Sequence, residues 1–234
     1  MPYSRFTSLF CRGSGNAGDI REHLKRLATP VVFRAGATIF SKGERADCAF
    51  GLSEGSVRLY KLLSDRQRQV MAFALPGDFL GMPLVERYDL SADAVGEVIL
   101  CKFSQNDLAT LIQSSPDLMR SLIEFVAREL KMTRDQLVLL GTNSAEEKIM
   151  MFLVNWRNRL AGLEPPSKSA SWRAGSSAFL KPIPLPMLRR DIADFIGLEL
   201  ATVSRTLTKL KQKNVIRTIA RDVFLTEPEP AVPT

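Results

Sequence analysis

The sequence predicts an α+β chain: an N-terminal antiparallel β-roll, a long helix, and two short C-terminal helices closed by a β-hairpin. Three observations predict it. Between Thr29 and Phe103, short β-prone runs alternate with glycine-bearing turns. From Ser115 the apolar period lengthens to steps of three and four, as a helix requires. Between Leu185 and Phe224, two short amphipathic segments flank Gly197-Leu198 and precede two more β-prone runs.

Residues 1–18 are polar and contain glycine, which predicts a flexible tail. Asp19 can cap a short helix over 19–27, which carries His23, the chain's single histidine. A lone helical histidine suits the surface better than a metal site. Residues 19–114 form the roll. Its runs cover 31–33, 37–40, 48–52, 56–63, 69–75 and 97–103, broken at Ala35-Gly36, Lys42-Gly43, Glu54-Gly55, Ser64-Asp65 and Pro76-Gly77-Asp78. Strands this short, spaced by turns, fit an antiparallel sandwich or roll. In 69–75 the face of Met71, Phe73 and Leu75 is large and the face of Val70, Ala72 and Ala74 small. Both are apolar, as in a strand packed inside a roll.

Residues 115–141 predict the long helix, with Ser115 as its cap and Pro116 in its first turn. Leu122, Val126, Leu130, Thr133, Leu137 and Leu140 follow three- and four-residue steps close to a heptad seam, which predicts a dimerisation helix. A helix lying on its own domain's core would show the same period, so that alternative stays open. Gly141 breaks the helix, and Ser144 with Glu147 forms a capping box for a helix over 145–160. Residues 161–180, rich in Pro, Ser and Gly, predict a surface loop that Trp172 and Phe179 could anchor. Residues 142–234 make up the last domain.

Composition narrows the function classes. The 234 residues are 45% hydrophobic and carry a net charge of +7, enough for two domains with real cores. Between 181 and 226 nine Lys and Arg face four Asp and Glu, a surplus of five in about a fifth of the chain. Such a segment attracts polyanions, nucleic acid above all. The longest apolar run, 149–154, is too short to span a membrane, and residues 1–16 lack the apolar core of a signal peptide. The expectation is a cytoplasmic protein with no membrane partner. Cys11, Cys48 and Cys101 lie far apart with no CxxC pair, against a disulfide framework or a zinc site. Cys101 alternates with Ile99 and Phe103, as a small buried apolar side chain would. No Gly-rich phosphate loop, Ser/His/Asp set or His-rich metal set is present, so neither an enzyme nor a bound cofactor is expected.

The segment 185–224 carries the chemistry. Residues 187–195 predict a helix with Ile192, Ala193 and Ile196 as apolar positions, Gly197-Leu198 a tight turn, and 199–212 a second helix. Its inner face reads Leu200, Val203, Leu207 and Leu210, and its outer face Ala201, Thr202, Ser204, Arg205, Thr208 and Lys209. Two short strands follow, joined by Ala220-Arg221-Asp222. This is the pattern of a winged helix-turn-helix, whose second helix places its N-terminal side chains in the DNA major groove. Arg205 can bond guanine O6 and N7 together, and Thr202 and Ser204 can reach a base edge, a thymine methyl or a phosphate. Arg189, Arg190, Lys209 and Lys211 suit phosphates, which fix register without reading sequence. The predicted DNA-facing set is Arg189, Arg190, Leu200, Ala201, Thr202, Ser204, Arg205, Thr208 and Lys209, with double-stranded DNA as partner.

The run MLRRDIADFIGLELATVSRTLTKLKQKNVI closely resembles the helix-turn-helix of the Crp/Fnr superfamily of bacterial regulators, especially its FixK-like and Fnr-like branch. Upstream, AGATIFSKGERAD, LSEGSVRLY and LPGDFLG resemble that superfamily's cyclic-nucleotide-binding-like β-roll, and the helix from Pro116 matches its dimerisation helix. The resemblance covers nearly the whole chain. It implies a homodimeric transcription regulator, an activator, that binds a palindromic operator approximating TTGAT-N4-ATCAA and works with RNA polymerase. The departures matter for mechanism. Members that bind cyclic AMP follow the PGDF loop with Gly-Glu and hold the phosphate with a later Arg-Ser or Arg-Thr pair. Here those positions read Gly81-Met82-Pro83 and Leu90-Ser91-Ala92. A phosphate buried without its cation is strongly disfavoured. Members that carry an iron–sulfur cluster use four cysteines, three of them clustered near the N-terminus, where this chain has only Cys11. The resemblance therefore implies action without cyclic AMP or a cluster, and leaves an apolar effector open. At Ala201 the Fnr-like pattern carries a glutamate, four residues before the arginine.

Overall fold

The computed structural model describes residues 17–63, 67–81, 85–141, 144–162, 182–219 and 222–225. The expectations for residues 1–16 with Cys11, for Ser64-Asp65, Met82 and Pro83, for 163–180 with Trp172 and Phe179, and for Ala220-Arg221 lie outside the described residues.

Alternation of side chains across short strands makes each strand serve two surfaces. Helix α1 (Ala17–Leu27) starts two residues ahead of the expected Asp19 and leads into β1 (Thr29–Phe33), β2 (Thr38–Phe40), β3 (Cys48–Glu54), β4 (Val57–Leu62), β5 (Arg68–Ala74), β6 (Phe79–Leu80), β7 (Ser91–Ala94) and β8 (Val98–Ser104). The strands pair antiparallel in two sheets, ordered β1-β8-β3-β6 and β2-β7-β4-β5. Phe50, Leu52, Val98 and Leu100 of the first sheet meet Val57, Ala74, Ala92 and Ala94 of the second inside the roll. On the first sheet's other face, Ala49, Cys101 and Phe103 pack against Leu24 of α1, Leu108 and Ile112 of α2 (Gln105–Ser114), and Leu118 and Leu122 of α3 (Pro116–Gly141). Cys101 is thus a buried apolar side chain, its Sγ 3.2 Å from Ser53 Oγ, and burial pushes its thiol pKa up. The β3–β4 turn runs through Gly55 at φ 87°, where any β-carbon would strike the carbonyl of Glu97.

A buried polar cluster ties three strands of the second sheet. Arg58 donates to one Asp93 oxygen at 3.0 Å and Thr38 Oγ1 to the other at 3.0 Å. Both charged side chains are mostly buried, at 17% and 10% exposure.

Ser115 caps α3: its Oγ accepts from the Leu118 N–H at 3.3 Å and its carbonyl from the Met119 N–H at 3.0 Å. The chain divides into two compact units, Met1–Arg134 and Asp135–Thr234. The end of α3 therefore belongs to the second unit, whereas the sequence reading places the boundary after Gly141. In that unit Ser144 Oγ accepts from the Glu147 N–H at 3.4 Å and starts α4 (Ala145–Ala161). There follow β9 (Ile183–Pro184), α5 (Arg189–Ile196), α6 (Leu200–Gln212), β10 (Ile216–Ile219) and β11 (Asp222–Leu225), the strands ordered β10-β11-β9. Helix α4 buries Ile149, Phe152, Leu153 and Trp156 and packs on α5, α6 and β9. Phe152 meets the Phe195 ring edge-on at 5.6 Å, and Trp156 Nε1 donates to the Pro184 carbonyl at 2.9 Å.

Candidate nucleic-acid interface

Helix α5 is fixed at both ends. At its start the Asp191 carboxylate, 1% exposed, accepts from the Leu188 N–H at 3.1 Å, where the helix N-terminus also favours negative charge. Ile192, Ala193 and Ile196 are buried as their spacing predicts. At its end Gly197 takes φ 66° and ψ 44°, and its N–H and that of Leu198 both donate to the Ala193 carbonyl. Two further side chains capture the last carbonyls. Gln136 Nε2 of α3 donates to Phe195 O at 2.6 Å, and Lys148 Nζ of α4 to Ile196 O at 3.4 Å. The Lys148 cation suits a helix C-terminus. A β-carbon on Gly197 would lie 3.1 Å from a Leu140 methyl, so the turn and the end of α3 are in close contact.

Helix α6 follows from Glu199 as N-cap. Val203, Thr206, Leu207 and Leu210 are buried against the unit's core, and Leu200 is 47% exposed. This corrects the inner face read from the sequence. At 3.6 residues per turn the buried stripe centres between Val203 and Leu210, and Thr206 lies nearer that line than Leu200. The outer face carries Ala201, Arg205, Thr208 and Lys209, all exposed, with Thr202 and Ser204 half-buried beside them. Arg189 and Arg190 are exposed on the first turn of α5. Arg205 Nε donates to the Ala201 carbonyl at 3.3 Å, so the side chain lies back toward the helix N-terminus. Thr208 Oγ1 donates to Ser204 O at 3.0 Å. The wing pairs Ile216 with Leu225 and Arg217 with Phe224.

Lys209 has a partner that the sequence does not suggest. Its Nζ lies 2.5 Å from one oxygen of Glu146, and Lys213 Nζ lies 2.8 Å from the other. Hydrogen bonds from Lys209 and then Lys213 hold the Glu146 carboxyl below the usual glutamate range. Gln136, Glu146 and Lys148 were not singled out from the sequence, because each acts on helices tens of residues away. Lys148 alone left a trace: it occupies the buried stripe Lys148, Ile149, Phe152, Leu153, Trp156, where a cation demands an acceptor.

On α3 the residues read as a dimer seam divide. Leu122 is 8% exposed and sits in the core cluster of its own unit, so Ile123, 63% exposed, takes the outer position at that turn. Met119, Ile123, Val126, Leu130, Thr133 and Leu137 then form one exposed stripe at alternating steps of four and three. Leu140 lies beside Gly197.

Inside the roll, Phe40 stacks on Tyr88 with centroids 4.0 Å apart and on Phe50 at 6.0 Å. The Tyr88 hydroxyl donates to the Cys48 carbonyl at 2.6 Å, and burial pushes its pKa up to about 12. Ala92 is fully buried in that core, and Ser91 Oγ accepts from the Lys42 N–H at 3.0 Å.

An antiparallel roll, a long helix and a helix-turn-helix with a β-wing together define a DNA-binding transcription regulator. Residues 30–115 match the cyclic nucleotide-binding domain and residues 147–229 the Crp-like helix-turn-helix domain. The transcriptional activatory protein AadR of Rhodopseudomonas palustris is 43% identical over 222 residues, covering 93% of this chain and 87% of that protein. The nitrogen fixation regulation protein FixK of Bradyrhizobium diazoefficiens is 42% identical over 222 residues, covering 95% and 87%. The structure of FixK2 from Bradyrhizobium japonicum aligns at a TM-score of 0.73 with 32% identity, covering 86% of this chain and 93% of that one. The chain belongs to the Crp/Fnr family of transcription regulators, and FixK-like proteins are among its relatives.

Proposed function

We propose that the chain is a homodimeric activator of transcription that reads a two-fold palindrome approximating TTGAT-N4-ATCAA, with half-sites about 34 Å apart. The observation that carries this reading is the outer face of α6. Ala201, Thr202, Ser204, Arg205 and Thr208 stand together at the surface of a helix whose other side is locked into the core. The exposed stripe Met119–Ile123–Val126–Leu130–Thr133–Leu137 supports pairing of two α3 helices, since its spacing is that of a coiled-coil seam. Activation follows the similarity to AadR, a transcriptional activatory protein, and RNA polymerase is then the expected partner at the promoter.

In this reading the protein acts in the cytoplasm without catalysis, cyclic AMP or an iron–sulfur cluster. Leu90 supplies no cation for a phosphate, and the whole chain has three cysteines where a cluster of the Fnr kind needs four. No described helix is long and apolar enough to cross a membrane. Genome-wide mapping of bound sites tests the proposal: the sites should share the palindrome and lie upstream of genes whose transcripts fall when the protein is deleted. Bound sites without a two-fold motif would overturn it.

A further inference from the structure

Cations on a recognition helix bind any duplex, so surplus phosphate contacts raise non-specific binding more readily than discrimination. Glu146 bears on this. It lies in the first turn of α4 and reaches across to Lys209 on the outer face of α6 and Lys213 just beyond its end, at 2.5 and 2.8 Å. The lysine side chains are 59% and 50% exposed and the carboxylate 29%, so the trio stands at the surface, open to a competing polyanion. One carboxylate bridging two ammonium groups leaves a net charge of +1 where two unpaired lysines would present +2. A DNA phosphate approaching Lys209 must compete with that carboxylate for the ammonium's charge.

We propose that Glu146 sets the chain's sequence-independent affinity for DNA by acting through these lysines. It occupies Lys209 and Lys213 and so lowers affinity for duplex of any sequence, while Arg205 and its neighbours on the first turns of α6 keep their access to bases. The inference rests on the reading of α6 as the DNA-reading helix, and it revises the phosphate role expected of Lys209 from the sequence.

The test uses the full chain, E146Q, K209Q and the double variant. Each is titrated by fluorescence anisotropy against the palindrome and a scrambled duplex over a range of salt. E146Q should bind the scrambled duplex several-fold more tightly at low salt, its salt slope steeper by about 0.9 for each additional phosphate neutralised. Affinity for the palindrome should rise by a similar factor, so the ratio of the two affinities should change little. K209Q should change the slope little in the parent and lower it by about 0.9 in the E146Q background. Equal slopes for parent and E146Q, or the same K209Q loss in both backgrounds, would make the trio a structural tie between α4 and α6 and nothing more. If E146Q does not fold, K209Q alone decides, because a full loss of slope in the parent overturns the proposal. Failure of the parent to prefer the palindrome would instead count against the reading of α6, and the slopes on scrambled DNA would still judge Glu146.

Discussion

Arg205 and Ala201 stand four residues apart on α6, and the hydrogen bond from Arg205 Nε to the Ala201 carbonyl lays the side chain back toward the helix N-terminus. The guanidinium carries the bidentate geometry that recognises guanine. Arg205→Ala is therefore expected to lose about 1–3 kcal/mol of operator affinity and to relax preference at the guanine of each half-site. Titrations on operators varied at that one pair check it. A uniform loss across all variants would mean that Arg205 only contacts phosphate. Ala201 has no acceptor for cytosine N4, so on the proposed reading Arg205 would read the pair alone. Ala201→Glu would add that acceptor, and at four residues' spacing it would also pair with Arg205 on the helix surface. It should sharpen discrimination at the same base pair by about 1–3 kcal/mol. Loss of affinity on every variant, with no improvement in discrimination, would show a carboxylate stranded without a donor.

Helix α3 illustrates what an element's sequence can and cannot reveal. Its cap at Ser115, its course to Gly141 and its apolar period were legible, because caps and periodicity are local signals. Which apolar stripe faces the core and which faces solvent was not, since Leu122 and Ile123 are adjacent and differ only by one residue's rotation about the axis. Leu122→Ala should lower the urea midpoint, with a loss of about 2–5 kcal/mol from the emptied core. Ile123→Glu should leave the secondary structure intact while shifting sedimentation toward the monomer. The reverse pattern would return Leu122 to the seam. Strand β7 escaped for a related reason. Its sequence Ser91-Ala92-Asp93-Ala94 is small and polar, yet Ala92 and Ala94 fill the roll interior while Asp93 pairs with Arg58. Strands β6 and β9 are two residues each, too short for any period. On α6, Thr206 hid its burial behind a hydroxyl and Leu200 its exposure behind an apolar side chain.

At the scale of the whole molecule, each unit has its own core. The roll's interior is apolar, with Phe40, Phe50 and Tyr88 in one stack and Ala92 buried in the same core. Calorimetric titration with cyclic AMP should accordingly give no heat of binding, and operator affinity should be the same with and without it. Micromolar binding would contradict this.

The most direct measurement of the central claim is the stoichiometry and affinity of the chain on DNA. It compares a duplex carrying TTGAT-N4-ATCAA with one carrying a single half-site, by sedimentation alongside anisotropy. Two chains should bind each palindrome, with much weaker binding to the half-site duplex. One chain bound to each half-site, as tightly as to the full palindrome, would contradict it.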